Sequence, residues 1–326
     1  MLKAMYNKYL VVIVAIVLVT PHTLLAEGQG IKVVTTFHYL ADDIEQLLCN
    51  GDEVYSLVPV GVDPHEYSLT PKDVELLRDS NLVVSTSHTH LEAKVYELKI
   101  VGELRSPLIE IPKIPNMSFR YVPGTNSVNY HALTYDPDNY IVLMKTVSNE
   151  LVKLRPECSS TYLEKVNTVI RHVEDVRKNS KITNLAAIGA SPLVQYAVEW
   201  LGVKIITYVV VDPEASPTPN DINNVEKLLS TKSVDLVIVT DEGLSHERIL
   251  ADLAIKYSVP ILTIPSPTTP GSTILKLQTV LNNFNKLSSS MTYASEENQY
   301  QEVVIATLIT TAIILIVALR RVKSWR

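Results

Sequence analysis

Two hydrophobic rhythms alternate along the chain between Ile31 and Leu287. The first is a short, nearly unbroken apolar or β-branched run. It occurs at Ile31–Thr36, Glu53–Val58, Asn81–Thr86 and Leu108–Ile111, and again at Asn184–Ile188, Lys204–Val211, Val234–Thr240 and Pro260–Ile264. Such runs read as strands, and the near-continuous ones as strands of a parallel sheet covered on both faces. The second rhythm is helical. Phe37–Leu48 carries Tyr39, Leu40, Ile44, Leu47 and Leu48 at helical spacing, and helices are likewise predicted over Pro71–Arg78, Asp138–Leu154, Pro192–Leu201, Thr218–Leu229, Ser245–Tyr257 and Ser272–Leu287. Thr70-Pro71 is a helix start, with Thr as N-cap and Pro at the first helical position. Pro112–Asn129, with its prolines and Gly124, reads as a loop. Between the two halves, Ser159–Lys178 lines up Tyr162, Val166, Val169, Ile170, Val173 and Val176. At ~1.5 Å per residue this helix is about 30 Å long, the width of a small domain. The prediction is an α/β fold of two lobes, 31–155 and 180–287, each a mostly parallel sheet covered by helices. One long bridging helix, 156–179, joins them, with a cleft between.

The ends carry different patterns. Lys3 and Lys8 precede the apolar run Leu10–Val19, and Pro21 and Ala26 follow, which predicts a signal peptide over 1–26. After a polar linker, 288–302, the uncharged run Val303–Leu319 spans about 26 Å as a helix against a hydrocarbon core of roughly 30 Å. Tyr300 on one flank and the basic tail 320–326 on the other predict a C-terminal transmembrane helix in the cell membrane, with the body extracytoplasmic and the C-terminus cytoplasmic. The chain is 46% hydrophobic and 20% charged with a net charge of −6, and no basic run lies outside the tail, so nucleic acid is excluded as a partner. A monomer is expected. Two cysteines, Cys49 and Cys158, make neither a disulfide framework nor a zinc ribbon. Both should lie at the end of the first lobe opposite the cleft, and a disulfide between them and two separate buried thiols both stay open.

The chemistry lies in the histidines. Gly61-Val62-Asp63-Pro64-His65-Glu66-Tyr67 follows a predicted strand and puts His65 in a loop stiffened by Pro64. His38 follows the first strand, His88 and His90 follow the third, and His131 precedes a helix on the same edge. Continued strand geometry would point His88 and His90 to one side. Parallel strands put their C-terminal ends along one edge, where open α/β sheets bind ligands. Five of the eight histidines thus converge there, while His22, His172 and His246 fall elsewhere. Neutral imidazole is the commonest protein ligand for zinc and also suits copper and nickel. The dipole of the helix starting at Tyr39 disfavours an imidazolium at His38 and keeps its lone pair available.

These residues carry a family resemblance. Val33–Phe37, Val58–Tyr67, Leu69–Leu77 and Ser80–Val84, then His131 with Asp136–Asn139, Pro156–Tyr162 and Glu214–Asp221, resemble in order the metal-binding receptors of ABC importers for zinc and manganese. In that cluster a rigid helix bridges the lobes. The resemblance covers roughly 31–287 and implies that His65 and His131 are metal ligands. It implies a receptor that binds a divalent metal in the interlobe cleft, zinc first, with copper or manganese as alternatives. The cargo would pass to an ABC permease and its ATPase. The family's second-lobe ligands are missing: their places read Gly189-Ala190-Ser191 and Pro265-Ser266-Pro267. The site is therefore expected to have moved into the first lobe, recruiting His38 and His88 and, further out, His90, with Asp241 or Glu242 closing from across the cleft. Two rival readings are a degenerate receptor for an organic ligand or for adhesion, and a metal-dependent hydrolase using Glu66 or Glu92 as base. No HExxH, Ser/His/Asp order or Gly-rich phosphate loop supports an enzyme.

Overall fold

The computed structural model describes residues 29–62, 66–180 and 182–291, with residue 304 and residues 307–311. The predicted signal peptide, Asp63-Pro64-His65, the tail and most of the linker and of Val303–Leu319 fall outside the described residues.

The first lobe runs β1 (Lys32–Phe37), α1 (His38–Glu45), β2 (Glu53–Val58), α2 (Pro71–Arg78), β3 (Leu82–Ser85), α3 (His90–Ile100) and β4 (Leu108–Glu110). Its strands are all parallel, in the order β2-β1-β3-β4. Next come a short hairpin, β5 (Arg120–Tyr121) and β6 (Val128–Asn129), then α4 (Pro137–Leu154) and α5 (Ser159–Lys178). The second lobe runs β7 (Leu185–Gly189), α6 (Gln195–Val198), β8 (Val203–Tyr208), α7 (Pro219–Ser230), β9 (Leu236–Thr240), α8 (Ser245–Lys256) and β10 (Ile261–Ile264), and closes with α9 over residues 273–291. Its parallel order, β10-β9-β7-β8, is the first lobe's order repeated. In both sheets the direction in which successive strands are added reverses between the lobe's first strand and its third. That switch point is where such sheets open a crevice for ligands.

Local chemistry explains most element starts. Thr70 and Asp73 form a capping box for α2, as Thr89 and Glu92 do for α3 and Thr218 and Asp221 for α7. Asp136 caps α4 through the amides of Asp138 and Asn139, with Pro137 at the first helical position. One hydrophobic cluster runs from Val33 and Leu40 through Tyr140, Leu143 and Val147 of α4 and Tyr162 and Val169 of α5 to Ala187, Leu277 and Phe284. The lobes therefore share a core, and each sheet's outer face packs a smaller cluster of its own. Interfaces of that kind resist rearrangement.

The base of the first lobe is fastened to the bridge. Cys49 and Cys158 are disulfide-bonded, across 109 residues of sequence. Beside them the buried Asp52 carboxylate accepts from the Ile31 and Cys49 amides, from Tyr162 Oη at 2.6 Å and from Arg155 Nη1 at 2.8 Å. Burial alone would raise its pKa, but those four donors outweigh it and hold it below the usual range.

Three local expectations are corrected. The strand geometry does not continue to His90: Ser87 turns left-handed at φ 55°, and His90 opens α3. The Pro112–Asn129 loop contains the β5–β6 hairpin. The helix predicted over Pro192–Leu201 is one α turn between two 3-10 turns. Gly202 ends it at φ 79°, where an added Cβ would lie 2.0 Å from the Thr183 carbonyl oxygen. Among the described residues no helix is long and apolar enough to cross a membrane.

Candidate metal site

The lobes face each other across a cleft with a volume of about 740 Å³. The first lobe lines it with His38, His88 and His131, and the second with Glu214, Glu242 and His246. His65 lies outside the described residues, but Val62 and Glu66 on either side of it line the same cleft. His90 is exposed and lines a separate cavity with Tyr96 and Glu110. His38 and His88 sit at the C-terminal ends of β1 and β3, the two strands of the switch point.

The His88 and His131 rings meet edge to face with centroids 5.4 Å apart. A left-handed non-glycine residue adjoins each: Ser87 at φ 55° and Ala132 at φ 54°. Backbone strain of this kind is held where surrounding structure enforces it, and it gathers at binding sites.

Hydrogen bonding fixes the tautomer of both rings. The Asn129 side chain must present Nδ2 to the Pro192 carbonyl and to Gln195 Oε1, each at 2.9 Å. Its Oδ1 therefore faces His131, accepting from the backbone amide at 2.9 Å and from Nδ1 at 3.2 Å. His131 thus carries its proton on Nδ1 and its lone pair on Nε2. At His88, the Thr86 hydroxyl gives its single proton to the Glu92 carboxylate. Thr86 Oγ1 then accepts from His88 Nδ1 at 2.8 Å, and Nε2 again carries the lone pair. A metal-binding imidazole is set up this way, its other nitrogen donating to an oxygen acceptor.

Glu92 is the clamp behind His88. Its carboxylate also accepts from the hydroxyls of Thr36, Ser85 and Thr89 and from the amides of His88 and Thr89. Burial pushes its pKa up, but these hydrogen-bond donors, the His88 amide among them, outweigh burial and keep it a carboxylate. A carboxylate so occupied does not serve as a general base in the cleft.

His38, half-buried at the first position of α1, has an Nε2 with no partner among the described residues. Burial lowers its pKa, so the ring is neutral at pH 7. Across the cleft, the loop after β10 is tied down from several sides. Asp241 accepts from the Ser266 amide, Thr268 donates to Glu242, and Lys276 Nζ donates to the carbonyls of Pro267 and Thr269. Burial lowers the Lys276 pKa to about 8. Asp241 does not line the cleft; Glu242 does. Among the described residues no three His, Cys, Asp or Glu side chains already lie close enough to hold one metal ion.

The chain gave three signals that its sequence concealed. Asn129 reads as an ordinary loop residue, yet it orients His131. Thr86 reads as the end of a strand. His246 reads as one helix residue among many, yet it lines the cleft at 2% exposure. The Thr89-x-x-Glu92 spacing is a capping-box signature that could have announced α3, a helix the sequence analysis did not place.

A hydrogen-bond seam closes the floor of the cleft between the lobes. Tyr135 Oη donates to the Pro265 carbonyl, Asp43 accepts from the Thr273 amide and hydroxyl, and Asp42 accepts from the Gly271 amide.

Twin parallel lobes on a shared core, with one long bridging helix and a histidine-lined cleft, define a two-lobed binding protein. The chain belongs to the family described as zinc-uptake complex component A, periplasmic, which matches residues 33–286. That is a family of solute-binding proteins and not of enzymes. It is similar to the manganese-binding lipoprotein MntA of Halalkalibacterium halodurans, at 21% identity over 72% of this chain and 78% of that one. It is similar also to the zinc-binding protein AdcA of Streptococcus pyogenes serotype M1, at 22% identity over 68% of this chain and 47% of that one. The fold matches that of FpvC from Pseudomonas aeruginosa, solved with Mn2+, at a TM-score of 0.66 and 15% identity, covering 80% of this chain and 99% of that one.

These findings overturn the expected placement as a single-pass cell-membrane protein held by Val303–Leu319. Relatives such as MntA are named lipoproteins, and no helix among the described residues can span a bilayer, which takes about 20 apolar residues. Of that run, only residue 304 and residues 307–311 are described.

Proposed function

We propose that this chain is an extracytoplasmic receptor that captures a divalent transition metal in the interlobe cleft and delivers it to an ABC permease and its ATPase. The observation that carries this reading is the His88–His131 pair, ring against ring in the cleft, each ring held with Nε2 as its lone-pair nitrogen. Metal cargo also fits the relatives, one named for manganese and one for zinc. His65 and His131 are the principal ligands, and His38 and His88 complete the first-lobe set. A donor set dominated by imidazole favours zinc or copper over manganese, which prefers oxygen. The working units are the lobes 31–155 and 180–287 and the bridge 156–179. The shared core and the floor seam limit lobe motion, so release follows docking on the permease or a local loop change.

The test is equilibrium dialysis of the metal-stripped chain against zinc, copper and manganese separately. One zinc per chain is expected, retained against excess manganese. Uptake of none of the three would sink the proposal.

A further inference from the structure

The family's second-lobe ligand places hold no imidazole or carboxylate here, since Ala190-Ser191 follows β7 and Pro265-Ser266 follows β10. We propose that His246, in the first turn of α8, supplies the second lobe's metal ligand. The inference rests on the metal-receptor reading and deepens it.

Three second-lobe side chains with metal-binding atoms line the cleft: Glu214, Glu242 and His246. Glu242 is engaged by the Thr268 hydroxyl, and Glu214 is an exposed residue of the Asp212–Ala215 turn. His246 differs from both. It is 2% exposed, and its Nε2 is buried with no partner among the described residues. A buried imidazole nitrogen without a partner is costly unless something binds it. His38 Nε2, on the facing lobe of the same cleft, is in the same condition. Both histidines lie in the first turn of a helix, where the dipole disfavours imidazolium and favours a neutral ring.

The two lobes also build the surroundings in the same way. Each sheet's third strand, β3 or β9, ends near a threonine, Thr86 or Thr240. Its amide and hydroxyl donate to a glutamate at the third position of the next helix, Glu92 or Glu247. Glu247 further accepts from the Leu244 amide, which fixes the turn that carries His246. In the first lobe this clamp holds His88 in the cleft, and in the second it holds His246. The repeat of the fold thus puts one clamped imidazole on each side of the cleft. The ion would bridge α8 to the first lobe, with nitrogen ligands from both.

The test is zinc-edge X-ray absorption on the zinc-loaded chain and on His246→Gln, with zinc titration of both and of His131→Ala. The expected result is one fewer imidazole in His246→Gln and an affinity loss of more than about tenfold, the effect of removing even an outer partner. An unchanged imidazole count and affinity in a folded His246→Gln, alongside lost binding in His131→Ala, would overturn the inference and leave the receptor reading standing. Should His246→Gln fail to fold, anomalous scattering from crystals of the zinc-loaded natural chain decides. Zinc about 2.0–2.1 Å from His246 Nε2 is expected, and zinc held only by first-lobe histidines would overturn the inference. A natural chain that takes up none of zinc, copper and manganese overturns both readings.

Discussion

Replacing Asn129 by alanine should separate the orientation of His131 from the stability of the cleft wall. Asn129 is 1% exposed and its side chain makes four hydrogen bonds: two from His131, one to the Pro192 carbonyl and one to Gln195. The alanine variant removes the acceptor that holds the His131 proton on Nδ1. Losing such an outer partner costs about 10–100-fold in metal affinity. The ring bond, at 3.2 Å, is at the long end of the N–H···O range, which points to the lower part of that span, about 10–30-fold. The same change leaves the buried Gln195 Oε1 without its Asn129 donor, at a cost to folding of about 1–3 kcal/mol. The Pro192 carbonyl keeps the Gln195 backbone amide as a donor and adds little to the loss. Zinc titration with a competing chelator reads the first effect, and urea unfolding of the stripped chain reads the second. Asn129→Asp is the sharper comparison, because it keeps an acceptor for His131 and has no donor for Gln195 Oε1. It should lose stability like alanine yet hold zinc within a few-fold of the natural chain. If Asn129→Ala binds zinc as tightly as the natural chain, the tautomer argument is wrong.

Other expectations follow from the same geometry. Asp52→Ala removes the carboxylate from a buried pair with Arg155, which retains the Asn50 carbonyl and Glu157. The loss should be about 3 kcal/mol, the low end for breaking a buried pair, and a urea-unfolding loss below about 1 kcal/mol would contradict the clasp. Zinc affinity should fall as pH drops below about 6.5, since protons compete for the imidazoles. Burial has already pushed the pKa of His38 and His246 down, so those two hold out longest, and a chelator-competition profile flat from pH 7.5 to 5 would refute imidazole ligation. Asp43 is fully buried, and burial raises its pKa from 3.8 to about 6. A carboxyl raised by folding contributes stability that is full below pH 3.8 and lost as pH rises through 6. The natural chain should therefore lose stability relative to Asp43→Asn between pH 4 and 7, and parallel urea-unfolding profiles would disprove this.

The fold was legible because its signals are local and repeated. Apolar runs such as Val33–Thr36 and Leu236–Thr240 are buried on both sheet faces, so each reads as a parallel strand without further context. The stripe of α5 and the cap of α2 were equally plain. The gathering of His38, His88 and His131 on one cleft followed from the rule that parallel strands end along one edge. What stayed hidden depended on contacts between distant residues or on a single backbone angle. His90 leaves the cleft because Ser87 turns left-handed, a choice that serine does not advertise. Asn129 orients His131 only because Pro192 and Gln195, from the other lobe, fix the direction of its amide. His246 became visible once β9 was placed beside β7 and the turn after it met the cleft. Asp241 looked available for metal, yet it holds the Ser266 amide.

The most direct test of the account is calorimetric titration of the metal-stripped chain with zinc, beside a chain carrying His65→Ala and His131→Ala. The account predicts one tight zinc site in the natural chain and no measurable heat of binding in the double variant. Equal zinc binding by both would contradict it, because the cargo would then be held somewhere other than the histidines of the cleft.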